Sequence, residues 1–279
     1  MILNAKPTGQ TTTFGEVLDR YAREVSPRKR GERWETLRLA RMQRDNFASI
    51  KMADLRASDI AAWRDARLRE VAPGTVNREM TLLSGVLTVA RKEWGIIDAN
   101  PASDVRKPTK PQPRNRIATA AEMQALALSA GDDLSTTTAR AFHAFRFAVE
   151  TAMRAGEIVG LTWDNVDLVG RVAHLPMTKN GTARDVPLSS AAVELIEALP
   201  RADPVFGIDS SQLDVLWRKV RDRAGVSGLT FHDSRHMAIT LLARRIDVLD
   251  LARMVGHRNI SQLMGYYNPT AADIAKRLG

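Results

Sequence analysis

The chain has 279 residues and contains no cysteine. Disulfides, thiolate metal sites and cysteine nucleophiles are therefore excluded, and the composition suits a reducing cytoplasm. No run of about 18 consecutive apolar residues occurs, and the N-terminal segment has no long apolar stretch, so the sequence predicts neither a membrane span nor a signal peptide. We therefore expect a cytoplasmic protein that has no membrane partner.

Several phosphate-handling and metal-binding motifs are also missing from the sequence. It has no glycine-rich phosphate loop of the Walker type, no His-Glu-x-x-His motif, no metal-ligand spacing and no internal repeat. Chemistry on a phosphate group would therefore need another source of positive charge.

Positive charge is concentrated in the first part of the chain. The net charge is +9, and residues 1–116 hold 23 Lys and Arg against 14 Asp and Glu, whereas residues 117–279 hold 18 of each kind. Lys and Arg contacts to phosphates supply most of the sequence-independent affinity for nucleic acids. The asymmetry therefore favours a nucleic-acid partner, although a basic surface that serves only solubility would give the same charge.

The pattern of residues 12–99 predicts a compact module of four helices. A Thr-x-x-Glu capping box begins at Thr13, ahead of apolar residues that recur on one helical face. A second helix is predicted over about 31–46, a third from a cap at Ser58, and a fourth from near Pro73. Four helices of this size are typical of an all-α domain.

Basic residues in this domain and just after it are candidates for phosphate contacts. A solvated basic face is the alternative interpretation. The candidates are Arg28, Lys29, Arg30, Arg33, Arg38, Arg41, Lys107 and Lys110.

A linker and a second domain are predicted to follow. Residues 100–116 are rich in proline and basic residues with almost nothing apolar, a composition that is typical of a stiff, extended linker. Another capping box begins at Thr119 and starts a second helical domain over 117–279. Within it, two short strand-like runs flank Asn180-Gly181, which predicts a β-hairpin.

An ordered set of six polar residues lies in this second domain: Arg154, Lys179, His232, Arg235, His257 and Tyr266. Successive members are 25, 53, 3, 22 and 9 residues apart. Each one alone has an ordinary structural explanation, such as a helix cap, a solvated turn residue or half-buried packing.

Taken together, the six residues in this order resemble the tyrosine recombinases, which are also called phage integrases. The resemblance covers about residues 12–270. The segment ETAMRAGEIVGLTWDNVD is similar to the first arginine box of that family and contains Arg154 with its accompanying acidic residue Glu157. The hairpin lysine, the HDSR segment, the Gly-His pair and the tyrosine nine residues later match the remaining family positions in order.

The resemblance implies a role for each charged or imidazole side chain. Arg154 and Arg235 would stabilise the negative charge that develops on the nonbridging oxygens of a phosphodiester under attack. His232 and His257 would donate further hydrogen bonds, and an imidazole can also exchange a proton near neutral pH.

The nucleophile and the general acid follow from the same resemblance. Tyr266 would attack the phosphate and hold the strand as a 3′-phosphotyrosine, while Lys179 would protonate the leaving 5′ oxygen. Nine residues at about 100° each place His257 and Tyr266 on opposite sides of any single helix. We therefore expect a new helix, capped at Asn259, to carry Tyr266, with Tyr267 serving as packing.

For the whole protein, the resemblance implies a mainly α fold with two domains: a SAM-like helical core-binding domain over 12–99, and a mostly helical catalytic domain over 117–279 with a small β-hairpin. The expected partners are double-stranded DNA, three further copies of the chain in a homotetramer on two DNA sites, and accessory DNA-bending or directionality proteins. Strand exchange would pass through a Holliday junction without a metal, ATP or other cofactor, in the nucleoid region of the cytoplasm.

Three other functions fit part of the sequence. A type IB topoisomerase-like enzyme uses similar groups to relax DNA, and a DNA-binding protein that has lost catalysis could retain the fold. A metal-dependent nuclease is less favoured because the sequence has no cluster of carboxylates.

Overall fold

The structure, a computed structural model, describes residues 9–109, 116–176, 183–257, 259–267 and 275. The chain divides into two compact units, Met1–Pro113 and Arg114–Gly279. Each unit has its own hydrophobic core. Among the described residues, no helix combines the length and apolar character that a bilayer crossing needs.

The first unit is built from helices. Its α-helices are α1 (Phe14–Glu24), α2 (Glu32–Met42), α3 (Ala57–Leu68) and α4 (Pro73–Lys92), with short 3₁₀ helices at Ser26–Arg28, Asn46–Ser49 and Pro101–Asp104. The predicted capping box at Thr13 is confirmed, because Thr13 Oγ1 accepts from the Glu16 N–H at 3.3 Å and Glu16 Oε2 accepts from the Thr13 N–H at 2.7 Å. It directs the apolar face of α1 into the core.

Two helix boundaries in this unit differ from the predictions. Helix α2 ends at Met42, not near residue 46, and extended Asp45 accepts a hydrogen bond from Trp63 Nε1 at 2.8 Å. Helix α3 is not capped by Ser58. Its N-cap is Arg56, two residues before the predicted cap, because the Asp59 carboxylate accepts from the Arg56 N–H at 2.8 Å and fixes the first turn there.

The first part of the segment predicted as a linker belongs to the first unit. Pro101–Asp104 forms a 3₁₀ helix, and Ala102 and Val105 are buried in the core of that unit. The carbonyl oxygen of Pro108 accepts from Asn77 Nδ2 at 2.9 Å. Two buried apolar side chains hold this stretch against the first unit. The proline-rich and basic composition of the segment did not predict that packing. Residues 110–115 lie outside the described residues.

The second unit surrounds a central buried helix. Its α-helices are α5 (Ala120–Ala130), α6 (Thr137–Thr151), α7 (Ala155–Val159), α8 (Ser190–Glu197), α9 (Ser210–Arg223), α10 (Asp233–Leu242) and α11 (Val248–Val255). Helix α6 is the central one, and its Phe145 stacks on Trp217 of α9 with ring centroids 4.1 Å apart. The predicted capping box at Thr119 is confirmed at the start of α5. The packing of α6 in this core fixes the position of its C-terminal end, which leads into the site.

A small antiparallel sheet joins the helices of this unit. Its strands are β1 (Val166–Asp167), β2 (Val172–Leu175) and β3 (Arg184–Pro187), in the order β1-β2-β3. In the β2–β3 register Ala173 lies opposite Val186, and both side chains are buried. The two predicted strand-like runs are confirmed, while the turn at Asn180-Gly181 lies outside the described residues. The predicted fold class, mainly α with two parts and a small sheet, is confirmed.

Candidate active site

The C-terminal end of α6 places a backbone acceptor in the site. After Thr151, fully buried Ala152 adopts the left-handed conformation with φ 53° and ψ 18°, which costs roughly 1 kcal/mol for a residue with a Cβ. The carbonyl oxygen of Ala152 accepts a hydrogen bond from Arg235 Nη1. The same turn leads directly to Arg154, so one backbone reversal positions both arginines.

A carboxylate fixes Arg154 at the N-terminus of α7. Glu157 Oε2 accepts from the Arg154 backbone N–H at 2.8 Å, and Glu157 Oε1 accepts from Arg154 Nη1 at 2.8 Å. Arg184 of β3 adds a second guanidinium, donating to the same two oxygens at 2.9 and 2.7 Å. Glu157 therefore joins the helix, the sheet and the first predicted arginine.

The pKa of Glu157 reports the strength of this pairing. Burial of the carboxyl would raise its pKa, but the hydrogen bonds from Arg184 and Arg154 and the positive charge of Arg184 outweigh burial and lower the pKa to about 2. The carboxylate is therefore ionised at neutral pH. In this hydrogen-bonded group of described residues, one negative charge faces two positive ones.

Arg235 is the most buried of the three arginines that the structure describes in the site, with 4% of its surface exposed. Besides the Ala152 carbonyl, its guanidinium donates to the Val255 carbonyl at 2.6 Å and lies 3.2 Å from His257 Nε2. Burial lowers the pKa of Arg235 to about 10, and the charge of Arg154 acts in the same direction. Arg235 is still a cation at neutral pH, and it is held in a poorly solvated position.

A left-handed glycine brings His257 onto Arg235. Helix α11 ends at Val255 and is followed by Gly256, whose φ is +67°, and the His257 N–H then donates to the Ala252 carbonyl at 3.0 Å. A Cβ on Gly256 would lie 3.2 Å from Cδ of Arg184, so glycine also allows the close approach of that side chain.

The environment keeps His257 neutral. Burial lowers the pKa of its imidazole to about 4, and the positive charges of Arg235, Arg154 and Arg184 add to this effect. A guanidinium can only donate, so Nε2 is the acceptor and the ring proton lies on Nδ1. Nδ1 is buried and has no hydrogen-bond partner among the residues that the structure describes.

His232 lies at the start of α10, on the exposed side of the site. Asp233, which follows it, accepts from the Thr230 N–H at 2.6 Å and the Thr230 hydroxyl at 2.8 Å, and this fixes the turn into the helix. The His232 ring meets the His236 ring edge-on at a centroid distance of 5.4 Å. Partial desolvation lowers the pKa of His232, and the charges of His236 and Arg235 contribute further.

The backbone around Tyr266 differs from the prediction. Asn259 does act as a cap, because its side chain accepts from the Ser261 N–H at 2.9 Å, but the element it caps is only a 3₁₀ helix, Ile260–Gln262. The predicted helix carrying Tyr266 is therefore wrong. Tyr266 lies in the turn that follows, where its N–H donates to the carbonyl of fully buried Leu263 at 2.9 Å.

The side chain of Tyr266 has a partner that the sequence did not predict. Its hydroxyl lies 2.5 Å from Nδ1 of His236, which is on α10. Burial raises the pKa of Tyr266, while the positive charge of Arg235 acts in the opposite direction. Tyr267 packs against the small cluster formed by α10, α11 and the following turn.

The structure brings five of the six predicted site residues into one electrostatic neighbourhood: Arg154, His232, Arg235, His257 and Tyr266. Hydrogen bonds link Arg235 with His257, and charge effects connect Arg154 with both histidines and with Arg235. Lys179, the sixth residue, lies outside the described residues. Within this group Tyr266 is influenced by the charge of Arg235 and lies against His236.

Comparisons with known proteins agree with this arrangement. Residues 116–273 match the model of the phage integrase family. A putative integrase/recombinase of Haemophilus influenzae is 38% identical over 283 residues, covering 99% of this chain and 93% of its own. The chain belongs to the phage integrase family. A shufflon-specific DNA recombinase of Escherichia coli is 34% identical to this family member, covering 98% of it and 73% of its own length.

Solved structures show that this phage integrase family member shares the fold of other integrases. The Tn1549 transposon integrase in complex with transposon right end DNA superposes with a TM-score of 0.77 at 18% identity, covering 96% of this chain and 98% of the other. A lambda integrase dimer bound to a core site gives a TM-score of 0.75 at 19% identity, covering 93% and 97%.

Two polar residues of the candidate site were not predicted from the sequence. Arg184 looked like one residue of a short strand, and nothing in its local pattern indicated the buried pair with Glu157. His236 follows Arg235 and lies four residues after His232. That spacing places both histidines on one helical face, and it is the signal that could have identified His236.

The predicted phosphate-contacting residues of this integrase fall into two groups. Three have a carboxylate partner in their own unit: Lys29–Glu35 at 3.0 Å, Arg38–Glu79 at 3.4 Å and Arg41–Glu70 at 3.0 Å. Four others are exposed: Arg28, Arg30, Arg33 and Lys107. Lys110 lies outside the described residues.

Proposed function

We propose that this protein is a site-specific DNA recombinase that cleaves and rejoins DNA strands through a covalent 3′-phosphotyrosine intermediate. The observation that carries the proposal is the grouping of Arg154, buried Arg235, two histidines and Tyr266 in one site. Relatives named integrase/recombinase and shufflon-specific DNA recombinase, which align with nearly the whole chain, support it.

The two arginines hold the scissile phosphate. Arg184 adds a third guanidinium beside Arg154 and Arg235. The Glu157 carboxylate neutralises only one of these three positive charges. A phosphodiester brings a negative charge that such a site favours. Because Arg235 is already desolvated and fixed by backbone carbonyls, little reorganisation is needed when charge develops on the nonbridging oxygens.

The histidines act as hydrogen-bond donors around the same phosphate. With its pKa lowered to about 4, His257 is neutral at pH 7 and has one ring proton. It can donate that proton to the phosphate only after the proton moves from buried Nδ1 to Nε2, when the phosphate replaces Nε2 as the acceptor for Arg235. His232 is exposed at the rim of the site, where its ring can meet a DNA strand. Neutral donors add hydrogen bonds without adding further like charge beside the arginines.

Strand cleavage and rejoining follow from these positions. Tyr266 attacks the phosphorus, the 5′ oxygen leaves, and Lys179 protonates that oxygen. The energy of the broken phosphodiester is retained in the phosphotyrosine bond, so attack by a new 5′ hydroxyl reseals the strand without external energy.

The partners follow from the same proposal. Double-stranded DNA would be bound by a core-binding domain over 12–99 and a catalytic domain over 117–279, with four copies acting on two sites. A lambda integrase tetramer bound to a Holliday junction has a similar fold, with a TM-score of 0.75 at 18% identity, and supports this assembly. We also propose that accessory DNA-bending or directionality proteins act with it and that it associates with the nucleoid.

The test is covalent trapping of DNA. Purified protein is incubated with fragmented genomic DNA, denatured with SDS and captured, and the DNA that stays attached is sequenced. We expect wild type to enrich one sequence and Tyr266→Phe to give no SDS-resistant adduct while still binding that sequence. Tyr267→Phe is the matched control and should retain the adduct. An adduct that survives Tyr266→Phe would contradict the proposed nucleophile.

A further inference from the structure

The hydroxyl of Tyr266 makes a short contact with a residue outside the predicted set. His236 Nδ1 and Tyr266 Oη are 2.5 Å apart, and the two rings lie at an interplanar angle of 26° with centroids 6.1 Å apart. His236 is half-buried on α10, and its backbone carbonyl accepts from the Thr240 hydroxyl at 2.8 Å. The helix therefore presents the imidazole to the phenol from a fixed position.

A proton has to leave Tyr266 before or during its attack. Burial favours the neutral phenol, so the hydroxyl keeps its proton at neutral pH and needs an acceptor close by. Arg154 and Arg235 have no acceptor atoms. The Nε2 atom of His257 already faces Arg235 at 3.2 Å.

His236 satisfies the geometric requirement for a general base. Its Nδ1 lies within hydrogen-bond distance of the proton that must be removed, and an imidazole can accept that proton near neutral pH. The other histidine of α10, His232, contacts the edge of the His236 ring. The contact to the reacting oxygen thus belongs to His236.

We propose that His236 is a catalytic residue that accepts the Tyr266 proton during cleavage and returns it during rejoining. This inference rests on the proposed function. The O–H bond of Tyr266 breaks and its proton moves to neutral Nδ1 of His236. The oxygen electron pair forms the O–P bond, the P–O5′ bond breaks, and the 5′ oxygen takes a proton from the acid, for which Lys179 is proposed. Rejoining reverses each transfer, so no proton is consumed over the cycle.

The test compares two substitutions of His236 on a nicked duplex built from the sequence trapped above. His236→Phe removes the acceptor, and His236→Asn keeps an acceptor oxygen that is far too weakly basic to take the proton. We expect both variants to bind the duplex like wild type and to form the adduct about 10²–10⁴ times more slowly in single-turnover reactions. Leu241→Ala, at an exposed position of the same helix, is the matched control and should react at the wild-type rate.

A second measurement separates proton transfer from positioning. Fluorotyrosine placed at position 266 has a more acidic phenol and depends less on a base, so it should speed His236→Asn by a larger factor than it speeds wild type. Should His236→Asn with ordinary tyrosine react like wild type, His236 would serve only to position the hydroxyl, and the proposal would be overturned. Equal acceleration of both proteins by fluorotyrosine would overturn it as well.

Folding and the proposed function are checked separately. Thermal unfolding of each variant shows whether the second unit is intact, and His236→Asn keeps the test valid if His236→Phe does not fold. Loss of the adduct in Tyr266→Phe together with wild-type cleavage in His236→Phe would overturn this inference alone. An adduct in Tyr266→Phe would instead contradict the proposed function.

Discussion

Arg184 and Glu157 form a bidentate ion pair with N–O distances of 2.9 and 2.7 Å, and each side chain is less than a tenth exposed. Arg184 also donates to the Met254 carbonyl at 3.0 Å, so it connects the sheet with α7 and with the end of α11. Three segments that are distant in sequence are thus fixed around one carboxylate. The position of Arg154, which the same carboxylate holds, depends on this connection.

Glu157→Gln should lose a stability that depends on pH. The folded-state pKa of Glu157 is about 2, below its unfolded value of about 4.3, so the stabilisation is present above the unfolded pKa and is lost as the pH falls toward 2. We expect Glu157→Gln to unfold more easily than wild type by roughly 3 kcal/mol at pH 7, and the difference to shrink between about pH 5 and pH 2. Urea unfolding across this range measures it.

The matched control for that experiment is Asp214→Asn, which breaks an exposed surface pair with Arg218. Its effect should stay below about 1 kcal/mol at every pH, because exposed ion pairs contribute little. A Glu157→Gln difference that is the same at pH 7 and pH 3 would show that the carboxylate charge does not stabilise the site.

Gly256→Ala should reduce both stability and cleavage. The new Cβ would require a left-handed alanine, which costs roughly 1 kcal/mol, and it would press on the Arg184 side chain next to His257. Gly225→Ala is the matched control, because Gly225 has a similar φ of +66° but no neighbouring atom within 4 Å among the described residues. Both variants should show a lower unfolding temperature, and adduct formation should slow only in Gly256→Ala. Equal rates of adduct formation in the two variants would show that contact between the new Cβ and Arg184 does not affect cleavage.

The sequence predicted much of the fold because local signals were strong. The capping boxes at Thr13 and Thr119 each set a helix start through a side chain three residues away, and the structure confirms both. The start of α3 was wrong because Asp59, not Ser58, captures the free backbone N–H. Several residues competed for one cap, and sequence spacing did not decide among them.

The site was only partly predictable for a related physical reason. Ordered spacing and family resemblance indicated Arg235 and His257. Their contact, however, depends on the left-handed turn at Gly256, which brings His257, just after α11, against Arg235 of α10. Tyr266 was expected on a helix, yet burial of Leu263 holds it in a turn. Such long-range contacts leave no periodic signal in the chain.

Arg28 and Arg33 should contribute to DNA affinity mainly through phosphates, because both are exposed in the basic first unit. Replacing both by alanine should weaken binding to trapped and unrelated duplexes by similar factors, and should lower the slope of log affinity against log salt by roughly 1 for each lost contact. Arg23→Ala is the control, because Arg23 is paired with Asp19 at 2.8 Å on α1. An unchanged slope in the double variant would remove these residues from the DNA interface.

Lys179→Ala should slow cleavage of ordinary DNA because the 5′ oxygen is a poor leaving group unless it is protonated. A substrate with sulfur at the 5′ bridging position has a better leaving group that needs no acid, so it should restore cleavage by Lys179→Ala toward the wild-type rate on that substrate. Arg154→Ala should not be restored, because a sulfur leaving group does not replace the charge on the nonbridging oxygens. The measurement is the single-turnover rate of adduct formation on matched oxygen and sulfur duplexes. If sulfur fails to rescue Lys179→Ala, or rescues both variants equally, Lys179 is not the general acid.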